Sequence, residues 1–270
     1  MTNIHISSGA QYGEHAALAF RLAHVFGRSA AMGLLSADEV TELDASSVRG
    51  LVADLQQHGL AGNAGIHLAL LMQDAPKPWD AQTTQLLERR LDDLAQVLED
   101  SPNPDTEWRS MREVFGDDVL ASLVEVSPSS LRRYAAAERT TPDEIAAKLH
   151  WLAMVVSDLA GGYNALGMRR WFERPRAQLA GSSPRQALGA GWQPYDTAAL
   201  AVRKLAAALS GAQPLAVKRC LTLPRTTQHS PALPSNSCRP RDPSFSPLRL
   251  ALSFPVAKQR AACSTLARRR

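Results

Sequence analysis

The sequence predicts an all-α protein, on three observations along its first 212 residues. Apolar residues recur at the three- and four-residue spacing of amphipathic helices. Capping residues and helix breakers occur at the ends of these periodic stretches. No stretch shows strand-like alternation or the rhythm of βαβ units. We therefore expect a series of helices joined by short turns.

Charge is distributed unevenly along the chain. Residues 1–105 carry 6 Lys and Arg against 14 Asp and Glu, residues 106–212 carry 13 against 11, and residues 213–270 carry 11 against 1. The excess positive charge therefore belongs to the last segment. The sequence has no run of 18 apolar residues and no N-terminal signal pattern, so we expect a cytoplasmic protein that does not contact membranes.

Residues 1–105 form an acidic region that is predicted to be helical. No motif in it indicates a function. Leu18 and Leu22 begin one apolar stripe, and another follows at four leucines: Leu87, Leu91, Leu94 and Leu98. Between them, Ser36 and Glu39 have the spacing of a capping box for a helix that closes on Gly59. Residues 59–65 are interpreted as a glycine-rich loop, and residues 74–80 and 100–105 as breaks between helices.

Residues 106–162 predict four helices, over 106–115, 117–124 and 128–137 and after Pro142. In the last of these, Thr141 is placed to cap the helix, Pro142 to occupy its first position and Glu144 to complete a capping box. Its apolar face repeats at five positions: Ile145, Leu149, Leu152, Val156 and Leu159.

The stretch LASLVEVSPSSLRRY, residues 120–134, has the pattern of a helix-turn-helix. Ala121 is small enough for two helices to cross, and Ser127 and Pro128 suit the start of the second helix. The apolar residues that would close the core between the helices are Leu120, Val124, Val126, Leu131 and Tyr134. Short hydroxyls and long cations remain for the surface of the second helix, where they suit phosphates and base edges.

This stretch resembles helix-turn-helix regulators of the Xre/MerR-like type. The resemblance implies DNA contacts from five residues: Ser127, Ser129, Ser130, Arg132 and Arg133. One position departs from the pattern, because Glu125 stands where the turn often carries a glycine that tolerates a positive φ. The alternative is a helical hairpin in an interaction domain, whose arginines are merely solvated.

The pattern of residues 163–212 predicts helices around 165–173, 184–189 and 196–209. This segment resembles the toxin-binding domain of Xre/MbcA/ParS-type antitoxins. The motif residues occur in the family's order: Trp171, Phe172, Pro175, Leu179, Gly181, Pro184 and Leu188. The resemblance covers roughly 106–212 and implies toxin contacts from Arg174, Arg176, Leu179 and Arg185. The sequence GAGW at 189–192 departs from the family's usual small polar step.

The resemblance implies an antitoxin that binds operator DNA, represses its own operon and neutralises a toxin encoded by an adjacent gene. Toxins of this family are commonly of the RES type, which consume NAD. A homodimer on a palindromic site is expected, because one helix-turn-helix offers few contacts. The alternative is a helical protein–protein interaction module without DNA binding.

Residues 213–270 predict a disordered basic tail, since single apolar residues are separated by prolines and arginines. One hypothesis is that the tail is foreign to the fold, through a shifted reading frame, readthrough or cloning; the other is a basic arm for nucleic acid. The expected architecture is thus a helical region at 1–105, a helix-turn-helix with a linker helix at 106–162, a small helical domain at 163–212 and this tail.

No catalytic, metal-binding or cofactor-binding motif is expected in this chain. HExxH, Walker and GxGxxG sequences do not occur, and no two of the seven histidines are spaced by three or four residues. The adjacent pairs Asp92–Asp93 and Asp117–Asp118 point to different helical faces, so solvation explains them better than acid–base chemistry. We expect a protein that is not an enzyme.

Overall fold

The computed structural model describes residues 3–8, 15–37, 39–74 and 78–210, which fall within one compact unit, residues 1–217. Helices dominate these residues, so the prediction of an all-α protein is confirmed. None of the described helices has the length and apolarity needed to span a bilayer. The tail predicted at 213–270 lies outside the described residues.

The N-terminal region contains four helices and two short strands. In chain order these are β1 (Asn3–Ser8), α1 (Ala16–Ala31), β2 (Glu39–Glu42), α2 (Ala45–Gln57), α3 (Gly62–Asp74) and α4 (Ala81–Glu99). The two strands pair in parallel, with Asn3 opposite Glu39 and Ile4 opposite Val40. This small sheet was not predicted, because strands of four to six residues are too short to show a clear alternation beside helical patterns.

Two sequence predictions in this region are wrong. Helix α2 begins at Ala45 rather than after Ser36, because Asp44 is its N-cap and accepts the Ser47 N–H at 2.8 Å. That hydrogen bond, together with the bonds from the hydroxyls of Ser46 and Ser47, lowers the pKa of Asp44 to about 2. Ser36 instead donates its backbone N–H to Asp54 Oδ2 at 3.0 Å. The glycine-rich stretch is a loop only at its start, since α3 begins at Gly62.

Seven helices follow in the described residues, together with a 3-10 turn at Ala177–Leu179. They are α5 (Pro104–Phe115), α6 (Asp117–Val124), α7 (Pro128–Ala135), α8 (Asp143–Ala160), α9 (Ala165–Glu173), α10 (Pro184–Leu188) and α11 (Thr197–Ser210). The cap predicted at Thr141 is wrong: Pro142 occupies the N-cap of α8. The Thr141 hydroxyl accepts the indole N–H of Trp108 at 2.9 Å and so joins α5 to the start of α8.

Helix α8 is the centre of the core. Its side chains are buried without interruption from Lys148 to Leu159, and α1, α5, α6 and α11 all pack against it. Helix α1 also packs on α4 and α5, so the N-terminal region shares this core with the residues that follow 105. The division into four functional regions stays a prediction.

Two buried ionic groups hold α8 to the helices around it. Asp158 accepts from Arg203 Nε at 2.8 Å, and Arg203 also bonds Glu99 at 2.9 Å. Arg28 on α1 pairs with the same Glu99 at 2.7 Å. Burial by itself would raise the pKa of Asp158, but the His24 and Arg203 contacts outweigh it and lower that pKa. The carboxylate therefore stays ionised at the junction of α1, α4, α8 and α11.

The second group is a buried pair formed by His150 and Glu107. His150 Nδ1 lies 2.6 Å from Glu107 Oε1, and His150 Nε2 lies 2.9 Å from the carbonyl oxygen of Glu99. A carbonyl can only accept, so Nε2 carries a proton, and a second proton lies between Nδ1 and the carboxyl group. Burial raises the pKa of Glu107. Burial opposes protonation of His150, but its bond to Glu107 outweighs this and raises the pKa of His150.

We expect stability to fall as the pH rises above 6.5, the ordinary pKa of histidine. The folded pair keeps its shared proton, whereas the unfolded chain has already lost it, so each further pH increase favours unfolding until His150 deprotonates in the fold. Melting temperatures from pH 6 to 9 measure this. His150→Gln is the control, because glutamine does not titrate there, and equal pH slopes in both proteins would contradict the assignment.

Candidate nucleic-acid interface

Helices α6 and α7 form a compact hairpin of two eight-residue helices joined by residues 125–127. The apolar residues expected between the helices are buried: Leu120, Ala121, Val124, Leu131 and Tyr134 are each at most 7% exposed. Val126 is half-buried against the same core. Tyr134 also stacks on Trp108 of α5, with ring centres 5.9 Å apart. The hairpin is therefore fixed on the protein along one side.

The turn has the backbone conformation that the sequence pattern requires. Glu125 is left-handed, with φ 60° and ψ 43°, as expected for a position where glycine is common. The N–H of Val126 closes the turn on the carbonyl of Ala121 at 2.9 Å. A left-handed non-glycine residue costs roughly 1–2 kcal/mol, so other contacts must hold Glu125 in place.

Glu125 is an exposed residue whose carboxylate is held by two donors from outside the hairpin. Its carboxylate accepts from Lys148 on α8 and from the backbone N–H of Gly191. Partial burial would raise the pKa of Glu125, but these two donors outweigh that effect and lower it. The carboxylate is thus ionised and already neutralised by Lys148, which removes an acidic group from the outer side of the turn.

Three serines cluster at the N-terminus of α7. Ser127 is the N-cap, as predicted, and its hydroxyl accepts the N–H of Ser130 at 3.1 Å. The hydroxyls of Ser129 and Ser130 each lie 2.9 Å from that of Ser127. Ser127 and Ser129 are exposed and Ser130 is half-buried. Ser127 is committed to the cap, so Ser129 is the serine most available to a ligand.

The two arginines of α7 differ in their surroundings. Arg132 lies 3.2 Å from Asp117 at the start of α6, and Arg112 of α5 binds the same carboxylate at 2.7 Å. The Arg112 bond comes first among the contacts that lower the pKa of Asp117. Arg133 is exposed and forms no ion pair within the described part of the chain. Arg133 is therefore the freer cation on this helix.

A further cation near the hairpin was missed by sequence reasoning. The guanidinium of Arg139 lies 5.5 Å from the centre of the Tyr134 ring, just beyond the end of α7. The chain returns there because Ala137 is left-handed, with φ 55°. The sequence shows only that a basic residue follows Tyr134 by five positions. It does not show that the chain turns back toward Tyr134, because that depends on the left-handed conformation of Ala137.

The residues predicted to bind a toxin are placed less uniformly than expected. Arg174 is exposed at the end of α9 and makes no ion pair with any described residue. Arg176, by contrast, is half-buried, with its guanidinium 5.5 Å from the Trp171 ring centre. Arg185 donates to Glu173 at 2.8 Å and to Ser122 of α6 at 2.6 Å. Leu179 is partly buried against the core.

The described residues also contain a cavity and lack a metal cluster. The cavity, about 310 Å³, lies between α1, β2 and α2 and is lined by residues that include Phe26, Leu51 and Asp54. No group of three or more His, Cys, Asp and Glu side chains within the described ranges could hold a metal ion. No protein-family model, curated protein or solved structure matches the chain.

Replacing the cap should destabilise the protein measurably. Ser127→Ala removes the acceptor for the Ser130 N–H and should cost about 0.5–2 kcal/mol of unfolding free energy. Ser129→Ala is the matched control, since Ser129 accepts no backbone N–H, and it should cost much less. Urea denaturation of the three proteins gives both values. Equal losses in the two variants would show that Ser127 does not cap α7.

Proposed function

We propose that this chain is a DNA-binding antitoxin, in which α7 reads the operator and the region from α9 to α11 binds the toxin. The withdrawal of the Glu125 carboxylate toward Lys148 and Gly191 is the observation that most favours DNA binding. It leaves α7 with exposed hydroxyls at its start and exposed arginines in its last turn. Asp117, at the start of α6, is already paired with two arginines.

The exposed side chains on α7 suit the two kinds of contact that DNA offers. Hydroxyls at a helix N-terminus donate to phosphate oxygens, as Ser129 can, and they position the helix without reading sequence. Arg133 is long, charged and unpaired among the described residues, which suits the O6 and N7 atoms of a guanine. Arg132 would have to leave Asp117 to reach DNA, so we assign the base contact to Arg133 and a phosphate contact to Arg132.

The antitoxin half of the proposal rests on the resemblance over 163–212 and on the packing of its motif residues. Trp171, Phe172 and Leu188 are buried and form a fixed scaffold. Leu179 and the exposed Arg174 lie on the surface of that scaffold, where an apolar centre with a charged rim would suit a protein partner. A RES-type toxin is the partner that the resemblance favours, and a homodimer is the assembly that a palindromic operator requires.

An interaction module without DNA binding is the second candidate. The Arg132–Asp117 ion pair favours it, because one of the two arginines on α7 is already occupied in the free protein. In that case Arg133 and Ser129 would only keep the helix surface solvated. DNA binding measured with single-residue variants separates the two candidates.

Arg133→Ala should weaken binding to the DNA upstream of the protein's own gene by about 1–3 kcal/mol, the value of a bidentate guanine contact. Arg170→Ala is the control, since Arg170 is exposed on α9 and remote in sequence from the hairpin. Fluorescence anisotropy with a labelled duplex measures both. If Arg133→Ala binds that duplex as tightly as the parent chain, the helix-turn-helix assignment is wrong.

Arg174→Glu should weaken a complex with the product of the adjacent gene and leave the folded chain intact, because Arg174 makes no ion pair with the described residues. Co-expression and purification through a tag on either protein provide the measurement. Arg185→Glu is less informative, since it also breaks the bonds to Glu173 and Ser122. A complex that persists without residues 163–212 would place the interface elsewhere.

A further inference from the structure

Contacts from two distant parts of the chain converge on the turn between α6 and α7. The Glu125 carboxylate accepts from Lys148 on α8 and from the N–H of Gly191. The indole N–H of Trp192 donates to the carbonyl of Leu123 at 2.9 Å. We call these four residues, Glu125, Lys148, Gly191 and Trp192, the turn clamp. Its last two members come from the GAGW segment that departs from the antitoxin pattern.

The turn clamp has a buried side, formed by Lys148 and Trp192, and an exposed side, formed by Glu125 and Gly191. The Lys148 side chain is 6% exposed and Trp192 is 3% exposed. Lys148 Nζ also lies 5.5 Å from the centre of the Trp192 ring, and that ring packs edge-on against Trp151 at 4.9 Å. A buried ammonium with both a carboxylate and an aromatic face has no equally good alternative position. The buried Lys148 ammonium therefore favours the arrangement of the turn that keeps Glu125 beside it.

The groups that the clamp holds are those that orient α7. Leu123 belongs to the last turn of α6, where carbonyl groups lack partners inside the helix, and Trp192 supplies one. Glu125 is the left-handed residue at which the chain changes direction from α6 to α7. A change in its torsion angles would alter the direction of α7, because α7 begins only three residues later.

We propose that the turn clamp positions α7 for DNA, so that sequence-specific binding by the hairpin depends on residues 189–192 of the C-terminal region. The inference rests on the proposed DNA-binding function. Glu125 and Lys148 act as positioning residues and do not themselves contact DNA. Base contacts tolerate little displacement, whereas phosphate contacts are long-range and tolerate more. Loss of the clamp therefore reduces discrimination between sequences more than it reduces general affinity.

Three variants and a control test this dependence. Lys148→Met removes the ammonium but keeps the side-chain volume, and Lys148→Arg keeps the charge. Glu125→Gly removes the carboxylate but also relieves the cost of the left-handed conformation. Tyr195→Ala is the control outside the clamp, since Tyr195 is 87% exposed. Anisotropy titrations use the upstream duplex and a scrambled duplex of equal length, at a temperature where circular dichroism shows every protein folded.

The clamp predicts that Lys148→Met and Glu125→Gly bind the upstream duplex roughly 5- to 150-fold more weakly, as expected for coupling between two sites. Their affinity for the scrambled duplex should change much less, and Lys148→Arg and Tyr195→Ala should resemble the parent chain. Unchanged discrimination in Lys148→Met and Glu125→Gly would overturn the proposal. If either variant unfolds, Trp192→Phe replaces it, since it removes the donor to Leu123 and keeps an aromatic ring.

A second readout separates this inference from the proposed function. If the parent chain does not distinguish the two duplexes, the DNA-binding function is wrong, and amide hydrogen exchange in α7 still tests the clamp. Faster exchange of α7 amides in Lys148→Met than in Lys148→Arg supports a clamp that holds the helix. Equal exchange in the two variants overturns it.

Discussion

Helix α8 is surrounded by other helices. Each ionisable side chain that is buried on it therefore requires an oppositely charged or hydrogen-bonding partner on a neighbouring helix or turn. Three such side chains lie on it: Lys148, His150 and Asp158. An unpaired charge at any of these positions would be strongly destabilising, because removing one partner of a buried pair typically costs about 3–5 kcal/mol. Each therefore fixes a different neighbour, so the pairs on α8 set the relative positions of the surrounding helices.

This constraint connects parts of the chain that differ in composition. Asp158 and His150 hold the acidic N-terminal helices through Arg28 and Glu99, so residues 1–105 contribute to the support of α8. Lys148 holds the turn before α7 through Glu125. The proposed DNA-binding surface is thus attached to α8, and the N-terminal region and α11 hold α8 in place. The acidic region therefore contributes to the structure that supports this surface.

The features that the sequence alone could predict are those that depend on neighbouring residues. The bounds of α6, the cap at Ser127 and the left-handed turn at Glu125 depend on residues within a few positions of one another, and the structure has all three. The caps expected for α2 and α8 were wrong, and both residues take part in tertiary contacts instead: the Ser36 backbone N–H bonds Asp54, and the Thr141 hydroxyl accepts from Trp108. The bonds from Lys148 to Glu125 and from Arg185 to Ser122 join residues more than 20 positions apart, beyond any local pattern.

Hydrogen–deuterium exchange with and without the upstream duplex tests the central claim most directly, because it reports where DNA contacts the whole chain. The account predicts that DNA slows amide exchange along α7, in residues 127–134, and in the turn before it. Protection confined to residues 1–105 or 213–270, with α7 unchanged, would contradict the assignment of DNA binding to the α6–α7 hairpin.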